Sequence, residues 1–131
     1  MPLRSAPLPR MAGHLSFMRS QSKEISDVKS GDLVVIGLPF EDTNAPHAGQ
    51  SLASRALRET SVYFGWHANP QFSHPVDIDA REIIQTDGLH ERLCDLGDIP
   101  IGDDKKSHTS LRELTRQINR IGACAIMLGG S

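Results

Sequence analysis

Three apolar runs separated by helix-length segments constrain this chain more than any other feature. Leu33-Val34-Val35-Ile36-Gly37-Leu38 is continuous and β-branched, and it stops at Pro39. Strands covered on both faces read this way, because neither face tolerates a polar side chain. Arg92-Leu93-Cys94-Asp95-Leu96-Gly97-Asp98 reads as a second strand running into a Gly-Asp turn, and Ala123-Cys124-Ala125-Ile126-Met127-Leu128 as a third. Between these two lies a polar loop through Asp103, Asp104, Lys105 and Lys106. Ser110 with Glu113 then makes a capping-box pattern, and Leu111, Leu114, Ile118 and Ile121 recur at helical spacing. Gly122 supplies the stop. After the first strand, residues 41–50 hold Asp42, Asn44, Pro46 and Gly49, a loop by composition. From Ser51 onward Leu52, Ala56, Leu57 and Tyr63 fall on one helical face and Arg55, Arg58 and Glu59 on the other, which predicts a short amphipathic helix. Residues 65–79 show no period and read as irregular, with Ile83 and Ile84 a short strand.

Strands that alternate with helices imply an α/β fold, here three-layer α/β/α with a mostly parallel sheet and right-handed crossovers. Ligands of such sheets bind beyond the carboxyl ends of the strands. Residues 41–50, residues 97–106 and the closing Gly129-Gly130-Ser131 occupy that position. Three strands bury themselves poorly and leave an exposed edge. The expectation is therefore a domain incomplete at its C-terminal end, organised as an N-terminal arm over 1–30 and an α/β part over 31–131.

The charge balance excludes one class of partner. The net charge is −2, and the longest basic run is the pair Lys105 and Lys106, so nothing supplies a footprint for nucleic acid. No apolar run reaches the roughly 20 residues that cross a bilayer, so neither nucleic acid nor membrane is an expected partner. Cys94 and Cys124 both sit in apolar runs, where a buried free thiol is commoner than a disulfide, and a reducing cytoplasm fits. Cys124 and Met127 are read as core. The first 23 residues carry Arg4, Arg10, Arg19 and four serines with no acidic side chain, a composition shared with mitochondrial transit peptides. The competing reading is an ordered arm, since large apolar residues stand beside Gly and Pro from Pro9 to Arg19.

At these residues the chain resembles the ureohydrolase family, which includes arginases and agmatinases. Val34 to Glu41 resembles the family's first strand with its Val-Pro-Phe-Asp end. His47 to Ser61 aligns without gaps with Arg-Pro-Gly-Ala-Arg-Phe-Gly-Pro-Arg-Ala-Ile-Arg-Glu-Ala-Ser. Asp95-Leu96-Gly97-Asp98-Ile99 matches Asp-x-Gly-Asp-Val, and Leu128-Gly129-Gly130-Ser131 is similar to the start of Leu-Gly-Gly-Asp-His-Ser. In the arm, Pro9-Arg10-x-Ala12-Gly13 and Ser16-Phe17-Met18-Arg19 resemble the agmatinase branch, which favours the ordered-arm reading.

The resemblance implies hydrolysis of a linear guanidino compound to an amine and urea. The agent is hydroxide generated between two manganese ions. It also implies a homo-oligomer, trimer or hexamer. The family's metal ligands come from the His after Gly-Gly-Asp, from Asp-Ala-His-x-Asp and from a later Asp-x-Asp, none of which lies in this chain. No catalytic or metal-ligating residue is therefore assigned, tight manganese binding is not expected, and the 131 residues alone should be inactive. By the same resemblance, Asn44, His47, Gly49 and Ser51 line the substrate entrance. His47, Ser51 and Ala53-Ser54 depart from the common pattern there, so the usual agmatinase substrate does not carry over.

Each sharper reading has a plainer rival. Asp95 and Asp98 could form a carboxylate pair for acid/base work, yet Asp beside Gly is ordinary turn chemistry and structure is the favoured role. His67, His74, His90 and His108 lack ligand spacing and read as solvated loop residues. Glu41 and Asp42 stand where function concentrates, but loop capping explains them equally. Gly129-Gly130 could open a phosphate loop, though no Gly-x-Gly-x-x-Gly or P-loop Lys accompanies it. Beside the enzyme stands one alternative from another class, a non-catalytic α/β remnant serving as an interaction or oligomerisation module.

Overall fold

The computed structural model describes residues 14–41, 49–63, 76–84, 88–100 and 104–129. In chain order the strands are β1 (Gln21–Ser22), β2 (Leu33–Leu38), β3 (Val76–Asp77), β4 (Glu82–Ile83), β5 (Leu93–Asp98) and β6 (Cys124–Gly129). The helices are α1 (Ala53–Ser61), α2 (Leu89–Arg92) and α3 (Asp104–Ile121). Four strands form one sheet in the order β1-β5-β2-β6, every pair parallel. β3 and β4 make a small antiparallel pair of their own. The three apolar runs are thus adjacent strands of one sheet, in an α/β fold with helices between them.

Alternation along β2 sorts the core into two faces, because successive side chains of a strand point to opposite sides. Val34 and Ile36 join Cys94 and Ile118 in one fully buried cluster, with Leu111, Leu114 and Ile121 of α3 packed on it. Val35, Leu93 and Leu128 form the other, with Phe17 and Met18 of the N-terminal arm packed against them. α3 therefore covers one face, while α1 and the arm cover the other. Ile118 is 0% exposed, and burying a side chain of this size contributes about 1.5–3 kcal/mol.

Several expectations need correction. α3 begins at Asp104 instead of Ser110, so the polar stretch read as loop is its first turn and Ser110 lies inside the helix. No Gly or Pro interrupts residues 104–121, and polar residues by themselves do not stop a helix. The face of α1 is also inverted. Leu52, Leu57 and Tyr63 are 61%, 45% and 57% exposed, while Ser54, Arg58 and Ser61 are buried. An ion pair to the sheet, described below, sets which side of α1 faces inward. Cys124 and Met127 are exposed instead of core, because β6 is the outer strand of the sheet among the described residues. The polar segment after Arg19 contributes β1, which apolar patterning cannot reveal in two exposed residues. The end of the stretch read as irregular contributes β3.

Candidate functional site

The carboxyl ends of β2 and β5 are built around a single guanidinium. Residues 95 and 98 of a regular strand would point to opposite faces, since side chains alternate with a period of two. The pairing of β2 with β5 slips by one residue between Val35↔Asp95 and Gly37↔Asp98, a bulge on β5. Such a bulge re-aims the side chains that follow it. Gly97 sits within it at φ +81°, a left-handed conformation that glycine adopts without steric cost. Both carboxylates consequently face α1, where Arg58 meets them. Its Nε donates to Asp95 Oδ2 at 2.8 Å, its Nη2 to Asp95 Oδ1 at 2.9 Å, and its Nη1 to Asp98 Oδ1. Gly37 lies directly beneath. A Cβ there would overlap the Asp98 carboxylate and crowd Arg58, so a larger residue at this point of β2 would have to displace that ion pair.

Backbone donors complete the cluster. Phe17 N–H donates to Asp95 Oδ2 at 2.7 Å and Gly97 N–H to Asp95 Oδ1 at 2.8 Å. Burial pushes the Asp95 carboxyl up, but Arg58 and these two N–H groups together outweigh it and hold it below the ordinary aspartate range. Burial likewise works against the Arg58 cation, and the two aspartates reverse the effect and raise it. Both oxygens of Asp95 and all three nitrogens of Arg58 are engaged with protein groups. The arrangement braces α1 against β5, in keeping with a structural role for Asp95 and Asp98.

Arg58 is the residue that sequence reasoning missed, having been placed on the outer face of its helix. A usable signal existed. Asp-x-Gly-Asp at a strand end sets two carboxylates about a glycine that can bulge, and a buried carboxylate such as Asp95 calls for a cation.

The loop after β2 is closed at its neck by Glu41. Its Oε1 accepts from Gly49 N–H at 2.7 Å and its Oε2 from the Ser51 hydroxyl at 2.5 Å. These bonds, Ser51 first, hold the exposed Glu41 carboxyl below its usual range. Gly49 and Ser51, both expected at the substrate entrance, are thus brought together by one carboxylate. Asn44 and His47 lie outside the described residues, as do Asp42, His67 and His74. His90 is exposed in α2. His108 is on α3 and not in a loop, with its ring stacked on Phe40 at 5.5 Å between centroids.

On the α3 face, a cleft of about 180 Å³ lies beside the same strand ends, lined by Lys23, Ile36, Leu96, Asp98, Ile99 and Leu114. Two of its charged groups, Lys23 and Asp98, are already committed. Lys23 Nζ donates to Asp32 Oδ2 at 2.7 Å, and Asp98 is held by Arg58. The bond to Asp32 raises the Lys23 ammonium. Burial works against the Asp32 carboxylate, yet Lys23 and the Lys29 N–H lower it on balance. Among the described residues, no group of three or more His, Cys, Asp or Glu is placed to hold a metal ion. No helix among them is long and apolar enough to cross a membrane.

Comparison with known proteins places this geometry. The model of the arginase family matches residues 31–131. A hypothetical agmatinase from Burkholderia thailandensis superposes with a TM-score of 0.67 at 24% identity, covering 94% of this chain and 36% of that one. Proclavaminate amidino hydrolase from Streptomyces clavuligerus superposes with a TM-score of 0.66 at 24% identity, covering 95% of this chain and 37% of the other. This chain therefore spans little more than a third of the length of those structures. No curated protein sequence matches it. The fold agrees with both structures, the bulged Asp-x-Gly-Asp strand lies within the matched segment, and the chain belongs to the arginase family.

Proposed function

We propose that this chain is the front part of a manganese-dependent ureohydrolase, which cleaves a C–N bond of a linear guanidino compound to give an amine and urea. One observation supports it most strongly: the family match covers residues 31–131, including the bulge that Arg58 clamps at the carboxyl ends of β2 and β5. In an open α/β sheet that edge is where ligands bind. The described residues do not offer a binuclear metal site, since Asp95 and Asp98 are both taken by Arg58. Their contribution in this reading is scaffold together with one wall of the substrate entrance at Gly49 and Ser51. No chemical step is assigned to them.

The finer points follow from the same reading. The substrate is a small linear guanidino compound, and the usual one of agmatinases is not assigned, because His47, Ser51 and Ala53-Ser54 replace the common residues. The assembly is a homo-oligomer, trimer or hexamer, in the cytoplasm.

Urea release from a panel of guanidino compounds with added manganese tests the division of labour. The 131-residue chain should release none, and robust turnover would overturn the scaffold reading. The ureohydrolase reading is tested separately by the coding sequence beyond Ser131. A His codon followed later by Asp-Ala-His-x-Asp supports it, and a stop codon counts against it.

A further inference from the structure

The N-terminal arm is fastened to the domain by side chains from two different elements. Phe17 N–H donates to Asp95 Oδ2 of β5 at 2.7 Å, and Met18 N–H donates to Ser61 Oγ of α1 at 2.7 Å. The Ser61 hydroxyl in turn donates to the Arg58 carbonyl at 2.7 Å, so both fastenings lead to Arg58. Beyond them the arm pairs Gln21↔Cys94 and Ser22↔Asp95 at the edge of β5, and Lys23 N–H donates to the Asp95 carbonyl.

Two features oppose this docking. Met18 and Arg19 take φ of 51° and 56°, the left-handed region that side chains with a Cβ avoid. Gln21 and Ser22 are both exposed, so the β1 pairing buries no side chain. β2, in contrast, is paired along its length on both sides and has three residues at 0% exposure. Segments with few buried contacts and short ladders open at lower free energy than the core they lie on.

We propose that residues 14–22 form a releasable strap, which lifts as a unit from the sheet face of Val35, Leu93 and Leu128 and loosens the Asp95–Gly97 bulge when it does. The link to the bulge is Asp95 itself. When the strap lifts, the carboxylate loses the Phe17 donor, one of the groups that hold it over the Gly97 N–H. The lifted state bares the apolar face of the sheet beside α1, a surface that is otherwise sealed by Phe17 and Met18.

Native-state hydrogen exchange on the full 131-residue chain tests this in the wild type and in Ile118→Val. Ile118 belongs to the α3-face cluster, remote from the strap, and the substitution is conservative enough to fold. In the wild type, the Phe17 and Met18 amides should exchange at least about a hundredfold faster than those of Val35 and Ile36, relative to their unprotected rates. Ile118→Val should speed exchange at Val35 and Ile36 by about fivefold while leaving Phe17, Met18 and Gly97 unchanged, because the lifted state keeps the core intact. If Phe17 and Met18 exchange in step with Val35 and Ile36 and accelerate equally, the arm is part of the global unit and the strap does not exist. If Gly97 follows the core amides while Phe17 and Met18 do not, the coupling through Asp95 is wrong.

Discussion

Arg58 of α1 and Asp95 of β5 are 37 positions apart and meet through two N–H···O bonds of 2.8 and 2.9 Å, with side chains 5% and 2% exposed. The planar guanidinium matches the carboxylate edge to edge and has a further N–H for Asp98, so one side chain links a helix to two positions of a bulged strand.

Removing the cation should be among the most damaging single changes. Arg58→Met leaves a buried carboxylate without its counter-charge, a change that costs about 3–5 kcal/mol. Arg58→Lys should recover only part of the loss, because an ammonium is a point charge and cannot span three acceptor oxygens. Urea denaturation followed by circular dichroism reads both, and wild-type stability in Arg58→Met would show that the pair is dispensable.

Asp95 of this cluster and Asp32 of the Lys23 pair set the acid limit of stability. The Asp95 and Asp32 carboxyls both lie below their ordinary value of 3.8 in the folded chain. The folded state thus binds these protons more weakly than the unfolded state. Their contribution is complete above the unfolded value and disappears as pH falls through the folded one. Thermal midpoints should be level with respect to these groups near neutrality and fall below about pH 4. In Asp95→Asn the midpoint should be lower at pH 7 and the acid decline shallower. An unchanged acid slope would remove Asp95 from the explanation.

Any side chain at Gly37 must displace the Asp98 carboxylate from its place beside Arg58. An alanine there overlaps Asp98, and overpacking of this kind costs about 1–3 kcal/mol. Combining Gly37→Ala with Asp98→Ala should cost less than the sum of the two single changes, since the second removes what the first strikes. Simple additivity in a double-mutant cycle would locate the strain elsewhere.

Ser54 offers a change in the opposite direction. Its hydroxyl is fully buried with no hydrogen-bond partner among the described residues. Ser54→Ala removes an unsatisfied polar group and improves helix propensity, so a gain of about 0.5–1.5 kcal/mol is expected in the unfolding free energy. A loss of stability would mean that the hydroxyl has a partner after all.

The two thiols should differ sharply in reactivity. Cys124 is exposed on β6, while Cys94 is 0% exposed and burial raises its thiol. Under native conditions a thiol reagent should label Cys124 within minutes and Cys94 only at the rate of opening. Mass spectrometry after brief labelling distinguishes the sites, and equal labelling would contradict the burial of β5.

Periodic patterns carried the fold through. β2 was legible as a continuous apolar run, because a strand buried on both faces leaves no room for polar residues and so marks itself locally, and the apolar content of β5 and β6 marked them as strands as well. The apolar spacing of Leu111, Leu114, Ile118 and Ile121 marked the buried face of α3 for the same reason, although its first turn, polar and unbroken, looked like loop. The resemblance of residues 9–131 to ureohydrolases was legible because short motifs stood in the right order. Gly49 and Ser51 were picked out on that ground alone, and the carboxylate that joins them, Glu41, was one of the residues with two equal readings.

What stayed hidden depends on partners far apart in the chain. The inward side of α1 is set by Arg58 reaching Asp95, and no helical pattern can announce that a charged residue will find one buried and one exposed carboxylate on a distant strand. Those carboxylates share a face only because the bulge at Gly97 breaks the alternation, a matter of register between β5 and β2. Cys124 and Met127 looked like core in an apolar run, yet their exposure follows from the place of β6 in the sheet order. Local composition determines which segments can be strands and helices. Which charges become buried, and which apolar residues stay in contact with water, is settled when distant segments meet, because desolvation and pairing are properties of the assembled neighbours.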